Sequence, residues 1–120
     1  MSHYVYEVSG DRTLTVMTGF NCQRQSFFAD VFSGTDLNVA PIHSWDVQDH
    51  REIAGCLELA GVPMHREAYY ALCRDQNDAI FDLSQIERRF EVLPSIEKQT
   101  SCAQKLRGFG QNVEKKYRLQ

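Results

Sequence analysis

The sequence lacks the features that define several large classes of protein. No stretch approaches the roughly 20 consecutive apolar residues that a membrane-spanning helix needs, so we expect no membrane contact. The first residues, Met1 to Tyr6, do not form the basic and apolar regions of a signal peptide, and we therefore expect a cytoplasmic protein. There is also no internal repeat, no phosphate-binding glycine loop, and no catalytic serine or zinc-protease motif.

Closely spaced cysteines are missing as well. The four cysteines occupy positions 22, 56, 73 and 102, and no pair has the spacing of about two to four residues found in zinc and redox motifs. The histidines at positions 3, 43, 50 and 65 are equally dispersed. We expect free thiols in a reducing compartment, with no disulfide, no metal and no other cofactor.

The chain does contain enough apolar material for one folded domain. Leu, Ile, Val and Phe together account for 30 of the 120 residues, and 42% of the chain is hydrophobic. A chain of this size buries roughly two-thirds of its unfolded surface, so it builds one core without crosslinks. We expect a single domain over residues 1–107, followed by a basic and polar C-terminal tail over residues 108–120.

Charge is distributed unevenly along the chain. Residues 1–97 contain seven Lys and Arg against fifteen Asp and Glu, a net charge of −8. Residues 98–120 contain six basic residues against one acidic residue, a net charge of +5. An acidic body with a basic end favours contacts between oppositely charged surfaces.

Alternating apolar and polar residues predict strands in the first third of the chain. The predicted strands cover residues 4–8, 13–18, 26–32 and 37–40. The first two flank a turn signal at residues 9–12 and predict a β-hairpin, and Pro41 ends the ladder after the fourth.

After Pro41 the period changes to that of helices. The predicted helices cover residues 44–60, 63–75, 84–93 and 95–107. Asp46 is the candidate N-cap of the first helix and Gly61 fits its end. Residues 79–83 are compatible with a short strand or with the start of a helix. Together these elements predict an α+β fold, in which an N-terminal antiparallel sheet of three or four strands is followed by three or four helices packed on it.

Two pieces of the chain resemble small uncharacterised bacterial α+β proteins. One piece is Val16-Met17-Thr18-Gly19-Phe20, a strand that ends in Gly-aromatic, with Phe27 and Phe28 opening the next strand. The other is the junction Leu57–Pro63 between two predicted helices. The similar proteins have an Asp-Arg-Pro turn where residues 21–24 of this chain read Asn-Cys-Gln-Arg. The resemblance implies a sheet followed by helices and carries no function.

Aromatic residues are concentrated in the first 45 positions. In the predicted third strand Phe28 and Phe32 share one face, while Phe27 and Val31 share the other, so both faces are apolar. Either the sheet is covered on both sides, with the C-terminal helix as one cover, or an aromatic face meets a protein partner. The candidate partner-binding residues are Tyr4, Tyr6, Phe20, Phe28, Trp45, Lys115, Lys116 and Arg118.

These observations favour a small non-enzymatic accessory protein that binds another protein, as an inhibitor, adaptor or subunit, or binds itself as a homo-oligomer. Small domains without motifs are common among inhibitors carried by phages and mobile elements, and this analogy extends the hypothesis to a bacterial or phage origin.

Two other classes of function stay open. The basic end favours nucleic-acid binding, with candidate phosphate contacts from Lys98, Lys105, Arg107, Lys115, Lys116 and Arg118. The acidic body would repel a polyanion, which favours the protein-binding hypothesis. The third class is a Cys/His enzyme, because Cys22 lies in a polar loop beside Arg24 and could use one of the histidines as its base.

Overall fold

The described part of the chain contains one sheet of six strands. The computed structural model describes residues 1–80, 86 and 88–98. The strands are β1 (His3–Ser9), β2 (Leu14–Asn21), β3 (Ser26–Ser33), β4 (His43–Val47), β5 (Phe90–Val92) and β6 (Ile96–Glu97). Their order across the sheet is β4-β3-β2-β1-β5, and β6 pairs with the last residues of β1.

Strands β1, β2 and β3 form an antiparallel meander. Each is an alternating segment rich in β-branched and aromatic residues, and a short polar turn separates it from the next. Tyr4 of β1 lies opposite Thr18 of β2, which in turn lies opposite Ala29 of β3. The predicted hairpin and the predicted third strand are confirmed.

The segment after the helices returns to the sheet and pairs with β1 in the parallel direction. β5 lies along the first half of β1, and β6 lies along its last two residues. Pro94 separates the two strands because it has no N–H to donate. Its carbonyl oxygen accepts a hydrogen bond of 2.9 Å from Nε2 of His65. The sheet is therefore mixed, with the N-terminal strand in its interior.

Two helices, α1 (His50–Leu59) and α2 (Arg66–Asp78), pack on the same side of the sheet. α1 begins with a capping box. The Asp49 carboxylate accepts from the N–H of Arg51 at 2.9 Å, and the Glu52 carboxylate accepts from the N–H of Asp49 at 3.2 Å. No helix in the described part of the chain is long and apolar enough to cross a membrane.

α1 ends in a Schellman motif that requires glycine. The N–H of Gly61 donates to the Glu58 carbonyl at 3.0 Å, and the N–H of Val62 donates to the Leu57 carbonyl at 2.9 Å. Gly61 has a φ of 75°, in the left-handed region that glycine enters without a Cβ clash. Val62 and Leu57 are both buried, so the motif also directs apolar side chains into the core.

His65, and not the predicted Pro63, marks the start of α2. Nδ1 of His65 accepts a hydrogen bond of 3.1 Å from the N–H of Glu67 and so caps the helix. The Tyr6 hydroxyl donates to the Pro63 carbonyl at 2.9 Å and accepts from the N–H of His65 at 3.2 Å. A side chain of the sheet therefore fixes the loop that joins the two helices.

The core lies between the helices and one face of the sheet, which we call the inner face. The helices contribute Ile53, Leu57, Ala68 and Leu72, all 0% exposed. The inner-face side chains that meet them are those of Tyr4, Tyr6, Val8, Leu14, Val16, Thr18, Phe20, Phe27, Ala29 and Val31.

The predicted fold, a short antiparallel sheet followed by three or four helices, is wrong. The described residues form a six-stranded mixed sheet with two helices, and the sheet is the larger part. β4 occupies the start of the predicted helix 44–60, because Trp45 and Val47 face inward in the alternation of a strand. The predicted fourth strand at residues 37–40 is a turn region.

The other errors concern the end of the described chain. β5 lies within the predicted helix 84–93, and β6 lies at the start of the predicted helix 95–107. Both strands are too short to carry a period of their own, and pairing with β1 determines their conformation. Residues 81–85, 87 and 99–120 lie outside the described residues, and with them most of the last predicted helix and all of the predicted tail.

Core packing gives a stability prediction. We expect Leu57→Ala or Leu72→Ala to cost roughly 2–5 kcal/mol of unfolding free energy, because each change leaves a cavity between the helices and the sheet. Leu59→Ala is the matched control, since Leu59 is 91% exposed on the same helix as Leu57. Urea denaturation measures all three. A cost below about 1 kcal/mol at the two buried positions would contradict this packing.

The capping box gives a pH prediction. Hydrogen bonds from Arg51 hold the pKa of Asp49 at about 2, below its ordinary 3.8. Because the folded pKa is depressed, the stabilisation is present above the ordinary pKa and is lost as the pH falls from 3.8 towards 2. We expect Asp49→Asn, which keeps the cap acceptor but not the charge, to be less stable than the wild type at neutral pH. In thermal unfolding, the difference in melting temperature between the two proteins should shrink as the pH is lowered. A difference that stays constant with pH would contradict a stabilising role for the Asp49 charge.

Candidate functional site

The face of the sheet away from α1 and α2, which we call the outer face, is the candidate site. No helix among the described residues packs on it. Its side chains follow from the strand register, since they alternate with those of the inner face. They are His3, Val5, Glu7, Thr15, Met17, Phe28, Asp30, Phe32, Ser44, Asp46, Phe90, Val92 and Glu97.

Aromatic and aliphatic side chains form the centre of the outer face. The His3 ring lies between two phenylalanines, with its centroid 5.7 Å from that of Phe28 and 5.9 Å from that of Phe90. Phe28 also lies opposite Gly19, where a Cβ would come within 2.9 Å of its ring and 1.9 Å of the Ser2 carbonyl oxygen. Glycine at this position therefore leaves room for the Ser2 backbone and for the Phe28 ring.

Part of this apolar surface is open to solvent. Phe90 is 60% exposed and Val92 is 75% exposed, while Met17 and Phe28 are half-buried. Burial lowers the pKa of His3 below its ordinary 6.5, so its ring is mostly uncharged at neutral pH. The outer face therefore presents an uncharged aromatic and aliphatic patch.

The charges around this patch are acidic. None of the six described strands contains a lysine or an arginine. Glu7, Asp30, Asp46 and Glu97 all belong to the outer face. Asp30 accepts a hydrogen bond of 2.6 Å from Ser44, and Asp46 forms an ion pair of 3.3 Å with the turn residue Arg24. The site is an apolar surface surrounded by carboxylates.

A buried carboxylate on the other side of the sheet holds this surface in place. Asp75 of α2 is 0% exposed and accepts from the Ser2 hydroxyl at 2.6 Å and from the Tyr4 hydroxyl at 2.8 Å. It also pairs with the Arg89 guanidinium, which reaches Asp78 at 2.7 Å. Arg89 directly precedes Phe90, and its carbonyl accepts from the N–H of His3 at 2.9 Å.

The pKa values of Tyr4 and Arg89, two of the groups that donate to Asp75, are shifted as this geometry requires. Burial, followed by the hydrogen bond to Asp75, raises the pKa of Tyr4 to about 12. The pKa of Arg89 is also raised, because its two carboxylate partners outweigh the opposing effect of burial. The phenol is therefore a hydrogen-bond donor and the guanidinium is charged at every ordinary pH, so Tyr4 and Arg89 both keep the protons that they donate to Asp75.

The structure separates the residues that the sequence grouped as partner-binding. Tyr4 and Tyr6 are 0% exposed and Phe20 is 2% exposed on the inner face, so they belong to the core and present no surface to a partner. Trp45 also points to the inner face and is half-buried against the core. Only Phe28 lies on the outer face. Lys115, Lys116 and Arg118 lie outside the described residues, as do the nucleic-acid candidates Lys105 and Arg107.

Sequence reasoning missed the three apolar residues that, with Phe28, are exposed or half-buried on the outer face. Met17, Phe90 and Val92 were not among the candidates, and the last two were assigned to a helix. The alternation in β2 was a usable signal for Met17, because it faces away from Val16. Nothing local pointed to Phe90 and Val92, since their position depends on pairing with β1.

The Cys/His hypothesis finds a different environment from the one expected. Cys22 is 4% exposed and belongs to the core cluster, so it does not lie in an open polar loop. Among the residues that the structure describes, no group of three or more His, Cys, Asp or Glu is placed to hold a metal ion.

Comparison of the chain with protein-family models, with curated proteins and with solved structures gave no match.

The Asp75 network gives a prediction with two readouts. We expect Asp75→Ala to cost about 3–5 kcal/mol of unfolding free energy, because it leaves Arg89 and the Tyr4 hydroxyl without their buried acceptor. Asp78→Ala removes the more exposed carboxylate partner of Arg89 and should cost about 1 kcal/mol or less of unfolding free energy. In Asp75→Asn, ultraviolet titration should show the Tyr4 pKa falling below about 12. Equal losses for the two alanine variants would refute this role.

Proposed function

We propose that this chain is a non-enzymatic accessory protein that binds another protein through the outer face of its sheet, as an inhibitor, adaptor or subunit. The observation that carries the proposal is the exposure of Phe90 and Val92, at 60% and 75%, beside the rings of His3 and Phe28. Exposed apolar patches rimmed by polar residues are typical of protein-interaction surfaces. Aromatic side chains at the centre of such a patch supply most of the binding energy.

The chemistry of the patch specifies the kind of partner. Its rim carries Glu7, Asp30, Asp46 and Glu97, the described strands hold no basic residue, and the turn residue Arg24 pairs with Asp46. A complementary surface is apolar at its centre and basic at its edge. The same rim disfavours a polyanion, and this supports a protein partner over a nucleic acid for this face.

A second candidate, nucleic-acid binding, is favoured by one observation, the net charge of +5 over residues 98–120. The first residue of that segment, Lys98, is anchored to the sheet, since its N–H donates to the Ser9 carbonyl at 2.7 Å. Phosphate contacts from about four of its basic residues would give a slope near −3 to −4 in log K against log salt. The two candidates therefore use different parts of the chain.

A pair of double variants tests the proposed function. Phe90→Ser with Val92→Ser removes the exposed apolar side chains of the outer face. Leu59→Ser with Ile80→Ser is the matched control, because these residues are 91% and 78% exposed and lie off the sheet. We expect proteins from the host extract to be captured by the wild type and the control but not by the outer-face variant. Titration of the purified partner should then show at least about a tenfold loss of affinity.

The acidic rim has its own readout in the same titration. Glu7→Gln with Asp30→Asn should slow association and weaken its dependence on salt, since rim charges act mainly on the on-rate. Failure to find any protein whose capture depends on the outer face would refute the proposal. Binding of DNA or RNA at about 150 mM salt that is lost with Lys115, Lys116 and Arg118 neutralised would establish the second candidate.

A further inference from the structure

Strand β4 leaves one edge of the sheet open. Within the described residues β4 pairs with β3 alone, in the register that places Ala29 opposite Trp45, and no strand lies on its other side. The backbone donors and acceptors on that side have no ladder partner in this part of the chain. An edge of this kind is a template for a further strand unless the sequence blocks it.

The sequence of β4 contains few of the features that block edge pairing. It has no lysine, no proline and one charged residue, Asp46, whose carboxylate is paired with Arg24 at 3.3 Å. The stretch that leads into it, residues 35–42, is exposed throughout and carries three large aliphatic side chains. Leu37, Val39 and Ile42 are 36%, 47% and 45% exposed. The approach to the edge is therefore apolar and accessible, and β4 itself exposes the polar side chains of His43, Ser44 and Asp46.

We propose that β4 pairs in the antiparallel direction with β4 of a second copy of this chain, across a two-fold axis at Trp45. In that register Ser44 of each copy lies opposite Asp46 of the other, and His43 lies opposite Val47. No two like charges face each other, and like charges directly opposite would destabilise the pair. The five-residue strand is thus complementary to itself.

Trp45 makes this register specific. Its indole stacks on the His43 ring, with centroids 5.4 Å apart and planes 8° from parallel, and it packs against the core on its other side. At the axis it meets its own counterpart as a rigid aromatic anchor. A residue on a two-fold axis contributes to binding from both copies, so one residue supplies both halves of the contact. This favours a second copy of the chain over an unrelated peptide as the partner.

The proposed pairing also accounts for the exposed aliphatic stretch. Continued by one residue, the antiparallel register brings Ile42 of one copy beside Gln48 of the other, at the entrance to α1. Leu37 and Val39 precede it and extend the contact past the strands. Both open β4 edges are removed by one isologous contact, and the described sheet doubles in width. The interface uses the backbone edge of β4, whereas the proposed function rests on Phe90 and Val92 at the opposite end of the sheet order. Ser44 and Asp46 belong both to this interface and to the outer face.

Sedimentation equilibrium of the full chain over a concentration series is the first test. We expect a species of twice the 13.8 kDa monomer mass for the wild type. Ser44→Glu should weaken the dimer at least about tenfold, because it places a carboxylate opposite Asp46 of the other copy. The same change places a carboxylate opposite Asp30 of its own chain, so circular dichroism must first show that the variant keeps the wild-type fold. Adding Asp46→Lys should restore the dimer, since opposite charges then face each other. Ser95→Glu, the same change at an exposed site beside β6, should have no effect.

A crosslink tests the register directly. Ser44→Cys and Asp46→Cys, made in separate chains and mixed under mild oxidation, should form a disulfide between the two variants, which neither forms alone to the same extent. The pair Glu7→Cys and Glu97→Cys, on strands β1 and β6 away from β4, controls for random oxidation of exposed thiols. A wild-type chain that is monomeric up to about 100 µM overturns the proposal. A dimer that survives Ser44→Glu, or that crosslinks equally through the control pair, also overturns it.

Discussion

The carboxylate of Asp75 is the contact on which the arrangement of the sheet depends. It lies at the end of α2, fully buried, and it gathers donors from both ends of the described chain: Ser2 and Tyr4 before the helices and Arg89 after them. A buried charge is tolerated only when it is paired and hydrogen-bonded, so the three donors must come together. Because Arg89 precedes Phe90, the same contact that closes the core also aligns β5 with β1.

The two faces of the sheet differ because they meet different neighbours. The inner face meets two helices, and its polar groups, the hydroxyls of Tyr4 and Tyr6, reach Asp75 and the loop before α2. The outer face meets no described helix, and it retains aromatic and aliphatic residues among carboxylates. A single sheet thus combines a side that packs against the helices with a side that we propose for recognition. Its edge at β4, which no described strand other than β3 contacts, faces in a third direction.

The extent to which sequence predicted this molecule depends on the range of the interactions involved. The β1–β2 hairpin, strand β3 and the end of α1 at Gly61 are encoded by alternation, turn residues and a glycine that the local backbone needs. β4 and β5 are not encoded locally: five and three residues carry too little period to outweigh neighbouring helical patterns. For this reason Phe90 and Val92 were missed as surface residues.

A local sequence pattern also does not show which face of the sheet is the buried one. Tyr4 and Tyr6 alternate with their neighbours in β1 as clearly as two exposed residues would. This alternation shows only that the two side chains lie on the same face of the sheet. Which side meets the helices is decided by residues far away, such as Asp75 and Pro63. The sequence therefore identified an aromatic sheet, and the structure was needed to tell its core aromatics from its exposed ones.

The parallel pairing of β1 with the last described strands has a consequence for how the chain folds as it is made. The Ser9 hydroxyl and the Ile96 carbonyl, which accepts its hydrogen bond, are 87 positions apart. At roughly 5–20 residues per second, the second appears roughly 4–17 s after the first. During that interval β1 is an edge of a nascent hairpin, and the side of the strand that later pairs with β5 and β6 is uncovered. Until residues 90–97 are synthesised, this side is an open template for pairing with another strand.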